Sequence, residues 1–137
     1  MSDTGGPYLV NAFFCNKVLI ENDGVPSYIR VVDRWMISGP TDAMPISIIN
    51  TYLVVNFKSG IYRGSLELAI TPITPSGNPM PVIRSPLLFE GDDERGTGVA
   101  GEIGFPVAEQ GIYWFEVKLG GNLITKMPLR VAYLKVG

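Results

Sequence analysis

The sequence predicts an all-β fold: one sandwich domain over residues 1–137, made of two antiparallel sheets with about eight or nine strands. Three observations predict it. Runs of alternating apolar and polar residues recur at turn spacings of roughly 8 to 12 residues, as expected of pleated strands with one buried face. The chain holds 16 Gly and 11 Pro, about a fifth of its residues where ordinary usage gives roughly 12%, and these residues punctuate strands and break helices. The longest stretch free of both that has room for a helix, Ile46–Ser59, reads IINTYLVVNF at its centre. That density of β-branched and aromatic residues favours a strand.

The elements follow in order. Leu9–Cys15, Lys17–Glu21 and Tyr28–Ile37 read as strands, with Asn22-Asp23-Gly24 as the turn between the second and third. Arg63–Thr71 gives the cleanest alternation: Gly64, Leu66, Leu68 and Ile70 face one way, and Arg63, Ser65, Glu67 and Thr71 the other. Thr71–Pro81 carries four prolines and reads as a rigid extended loop, and Gly91–Gly98 as a polar exposed turn. Val82–Phe89 and Thr97–Phe105 are weaker strands. Tyr113, Phe115, Val117 and Leu119 alternate with Trp114, Glu116 and Lys118, then Gly120-Gly121-Asn122 tolerates positive φ, and Leu123–Tyr133 resumes; this is a β-hairpin. Pro128 in the returning strand lacks a donor, which assigns it to a bulge or an edge. The expected core is Leu66, Leu68, Ile70, Tyr113, Phe115, Val117, Leu129 and Val131.

Composition closes several function classes. Apolar residues make up 46% and charged residues 18%, and 11 basic against 13 acidic side chains give a net charge of −2. A core is expected, and without a basic block there is no electrostatic footprint for nucleic acid. No histidine is present, which removes Ser-His and Cys-His nucleophile pairs and His-dependent zinc motifs. The lone Cys15, in an apolar run, reads as a buried core thiol. Residues 1–10 carry no Lys or Arg and no long apolar run, so a cytoplasmic protein without a membrane span is expected.

Three stretches together resemble a family of small bacterial proteins of unknown function: CNKVLIENDGVPSYIRVVDRW, LELAITPITPSG and FPVAEQGIYWFEVKLGGNLITKMPLRV. The likeness runs from about Ala12 to Val131; Gly120-Gly121-Asn122 stands where that pattern has an Asp-Gly type turn, and GDDERGTGVAG has no counterpart. The resemblance implies an immunoglobulin-like sandwich and no established activity.

The residues with chemical potential have mostly structural readings. Glu90, Asp92, Asp93 and Glu94 crowd four carboxylates into one loop, but the spacing is not that of a calcium loop and Arg95 competes, so no metal site is assigned. Asp33 is expected to pair with Arg30 or Arg34, and nothing brings Glu67, Glu102 or Glu116 to it as an acid/base partner. The Gly98–Gly104 run lacks a phosphate-binding pattern. Tyr113, just after Gly111, is placed where immunoglobulin-like domains use a tyrosine hydroxyl to bond the backbone at a corner. Trp114, Ile112, Trp35 and Tyr62 form the candidate interaction surface. The expected function is a non-catalytic interaction or scaffold module without cofactor, working as a homo-oligomer or with a protein partner. Two alternatives stand beside it: a carbohydrate-like ligand-binding sandwich, and a structural component of a virion or secretion apparatus. The assembly is expected to use the outer face of the terminal hairpin, with Leu53–Phe57 and the terminal strand as weakly charged edges.

Overall fold

Period-two alternation becomes strand in nine segments of the computed structural model, which describes residues 5–137: β1 (Tyr8–Ile20), β2 (Pro26–Val32), β3 (Arg34–Gly39), β4 (Ser47–Lys58), β5 (Arg63–Ile73), β6 (Ile83–Glu90), β7 (Gly96–Val107), β8 (Gly111–Leu119) and β9 (Asn122–Lys135). Four of them form one sheet in the order β2-β1-β4-β7, and five form the other in the order β3-β9-β8-β5-β6. All pairs are antiparallel except β3 with β9. The inner faces interdigitate around Phe57, Leu68, Ile70, Phe89, Phe115 and Leu129, all essentially inaccessible. Phe115 sits at the centre, edge-on to Phe14 at 4.8 Å and to Phe105 at 5.5 Å. Of the expected core, only Leu66 is left partly exposed.

The strand read as Tyr28–Ile37 divides at Asp33. Val32 ends β2 in the first sheet, and Arg34 starts β3 in the second, where the Arg130 N–H donates to the Asp33 carbonyl at 3.0 Å. That bond also explains Pro128. Arg130 turns its N–H toward β3, so Pro128, of the same parity, turns its missing donor to the same side, where β3 has not yet begun. Pro128 therefore sits on the stretch of β9 that is still an edge, as expected, and has no bulge of its own; the irregularity in the β8–β9 ladder lies at Val117/Lys118.

The predicted edges are corrected by the same topology. Leu53–Phe57 belongs to β4, flanked by β1 and β7, and β9 is flanked by β8 throughout and by β3 from Arg130 on, so only its Asn122–Leu129 half is an edge. The outermost strands are β2, β7, β3 and β6. The loop after β5 is also tighter than expected: Thr74 N–H donates to Asn78, Gly77 N–H to Thr74 and Met80 N–H to Pro72, with Gly77 at φ 93°. The prolines thus close a compact turn instead of an extended one.

A further departure lies in the first hairpin. β1 runs unbroken through the two segments expected as separate strands, but opposite its middle Arg30 adopts φ 57°, a left-handed conformation that L residues with a Cβ resist. Beyond that point the hairpin curls over the outer face of the first sheet. The ladder pairs Tyr28 with Val18, yet the Tyr28 ring packs edge-on to Phe13 at 4.9 Å, and its hydroxyl accepts from Asn56 Nδ2 at 3.1 Å. Under this cover Cys15 and Val54 are fully buried, although they lie on the face opposite Phe14 and Leu53 and outside the main core.

The strand order matches an immunoglobulin arrangement. β4 beside β7 corresponds to strands B and E, β5-β8-β9 to C, F and G, and β2 and β3 to a first strand shared between the sheets, with β1 inserted between that strand and B. At the entry to β8 the buried Tyr113 donates its hydroxyl to the Glu109 carbonyl at 3.0 Å, the tyrosine corner of that fold. The chain is an immunoglobulin-like β-sandwich.

Candidate interaction surface

Because neighbours in register share a face, the ladders define what stands on the outside of the five-stranded sheet. Trp114 lies between Ile73 on β5 and Pro128 on β9, an apolar row across three strands, and is 41% exposed. The adjacent row runs from the half-buried Ile112 to Arg130 and on to Arg34. Beyond it are Met36 beside Ala132, and Leu134, with Met36 and Leu134 exposed. On the other side of Trp114, Glu116 pairs with Lys126 at 3.9 Å. Neither Arg34 nor Arg130 makes an ion pair among the described residues. An aromatic anchor bordered by unpaired guanidinium groups is the composition that protein interfaces favour.

Two members of the expected surface stand elsewhere. Trp35 packs against the core between the sheets, its indole Nε1 buried without a hydrogen-bond partner. The reason is the change of sheet at Asp33: Val32 and Trp35 both turn inward although an uninterrupted strand would place them on opposite faces. Tyr62, in the turn before β5, also packs against the core, its ring edge-on to Phe89 at 5.8 Å. Trp114 and Ile112 are thus joined by Ile73, Pro128 and Arg34, which only the strand order could associate with them.

The carboxylates stay apart. Glu67 pairs with Arg84 at 2.7 Å, Glu116 with Lys126, and Glu102 stands on β7 in the other sheet. The expected ion pair of Asp33 is absent among the described residues, since the residue is spent on the strand crossing and its side chain is exposed. In the acidic turn Arg95 reaches back to Glu90 at 3.4 Å and Asp92 at 3.8 Å, and no group of three or more potential metal ligands occurs among the described residues. Burial raises the Cys15 thiol above its ordinary pKa, so the thiolate is disfavoured at neutral pH.

No family model and no curated protein matches the chain. Among solved structures it is similar to an immunoglobulin-like protein from Pseudomonas aeruginosa, at 13% identity over 95% of this chain and 99% of that one, with a TM-score of 0.45. It is similar also to the CARDB domain of a Pyrococcus furiosus protein in complex with di-metal ions, at 10% identity over 96% and 95% of the two chains, with a TM-score of 0.43. The assignment of the fold rests on the strand order and the corner tyrosine.

Proposed function

We propose that this protein is a non-catalytic interaction module that assembles with a second copy of itself through the outer face of the β8–β9 hairpin. The observation that carries the reading is the apolar row Ile73-Trp114-Pro128, held on three hydrogen-bonded strands so that the anchor is rigid before contact. A stacking platform for a sugar has less support, because Trp35 and Tyr62 are spent on the core and leave Trp114 alone. The test is light scattering after size-exclusion chromatography at two concentrations. The wild-type chain should run as a dimer or higher oligomer burying about 1,200 Å² or more per contact. Trp114→Glu should give a folded monomer, and a wild-type monomer at high micromolar concentration overturns the reading.

A further inference from the structure

The four outermost strands are not protected alike. β6 carries Pro86 in mid-strand, β2 begins at Pro26 and bends at Arg30, and β3 is six residues long. These are the devices that keep an edge from pairing with another chain. β7 has none of them along most of its length: it holds twelve consecutive residues in unbroken register with β4, its one charge is Glu102, and its one proline stands next to its end. The opposite side of the strand therefore presents a long row of free backbone groups. Beneath that edge the sandwich is open. Two clefts of about 300 and 170 Å³ meet at Ile83 on β6 and Ile103 on β7, with Met80, Val82 and Val99 on their accessible walls and the buried Leu53, Leu68 and Phe115 at their floor.

We infer that β7 accepts an added strand: an extended peptide segment of another protein, with apolar side chains at alternate positions that enter the groove and a basic side chain on its other face opposite Glu102. Main-chain bonds to the edge supply affinity, and the groove selects the alternate side chains. A second copy of β7 is the poorer occupant for two reasons. Full antiparallel overlap brings Glu102 close to its own counterpart, and like charges across a ladder repel. The inward side chains of that copy also stay over their own core and leave the groove unfilled. The inference is independent of the Trp114 face, which lies on the other sheet.

The test is fluorescence anisotropy of the full chain with a labelled ten-residue synthetic peptide that alternates valine and threonine and carries one central lysine on the threonine face. A twin peptide with glutamate in place of lysine serves as control. Gly101 lines the groove, and a Cβ built there meets no atom within 4 Å, so Gly101→Lys places a charge in the groove without disturbing the fold. Saturable binding is expected, weakened about tenfold or more by Gly101→Lys and unchanged by Trp114→Glu, with Glu102→Lys reversing the preference between the two peptides. Absence of binding at about 1 mM peptide, or binding indifferent to Gly101→Lys, overturns the inference. So does a wild-type dimer that Gly101→Lys dissociates, which assigns the edge to a second copy.

Discussion

The Tyr113 hydroxyl donates to the Glu109 carbonyl at 3.0 Å and accepts from the Glu109 N–H at 3.4 Å, so one side chain satisfies both backbone groups of a residue four positions upstream. Removing it leaves that carbonyl without its partner at a half-buried corner. Tyr113→Phe should lower stability by about 1 to 3 kcal/mol, read from the urea midpoint at unchanged slope. Burial raises the phenol pKa, opposed in part by the backbone N–H of Glu109 that donates to its oxygen and reinforced by the Glu109 carboxylate charge. A group whose pKa is raised on folding binds its proton more tightly in the folded state. Its contribution is complete below the unfolded value, about 10, and is lost as pH climbs through the folded value. The wild-type chain should therefore lose stability above about pH 10 more steeply than Tyr113→Phe does.

Phe115 fills the middle of the sandwich between Phe14 and Phe105. Phe115→Ala should cost about 3 to 5 kcal/mol, measured by thermal and urea unfolding. A loss below about 1 kcal/mol contradicts its burial.

Arg30 occupies left-handed backbone in a strand, with an exposed side chain and φ 57°. Arg30→Gly should raise stability by about 1 kcal/mol, because glycine adopts that conformation without the Cβ clash, partly offset by its larger unfolded-state entropy. Arg30→Val, branched at Cβ, should move the urea midpoint the other way.

Cys15 reports on the folded-over hairpin. A thiol reagent at neutral pH should modify the native protein orders of magnitude more slowly than the urea-unfolded chain. Tyr28→Ala removes both the packing on Phe13 and the bond from Asn56, so it should accelerate modification while circular dichroism keeps its strand signature. Unchanged reactivity in that variant contradicts the cover drawn over Cys15.

The reach of the sequence is visible at particular residues. Leu68, Ile70, Phe115 and Val117 alternate on a strict period of two, and a ladder with one buried face preserves that period. Tyr113 is legible because a glycine, a strand start and an aromatic together specify a corner. Trp35 is not, because nothing local announces that the chain changes sheets at Asp33 and exchanges its inward and outward parities. Leu53–Phe57 looks like an edge for want of charge, whereas a central strand covered on both faces is equally uncharged; here the first hairpin supplies the second cover. The company of Trp114 depends on pairings among segments far apart in the chain, and local pattern carries no information about them.

The parallel ladder of β3 and β9 also sets an order in time. β3 is made early, but its one neighbour in the sheet, beginning at the Arg34–Arg130 pair, emerges roughly a hundred residues later. At about 5 to 20 residues per second on a ribosome, Trp35 and Ile37 wait roughly 5 to 20 seconds without a sheet to lie on. The first hairpin can meet β4 well before that, so half of the molecule matures while the other half still lacks its last strand. A nascent chain stalled before β9 should therefore expose an apolar segment that chaperones recognise, and release of the final strand should hide it.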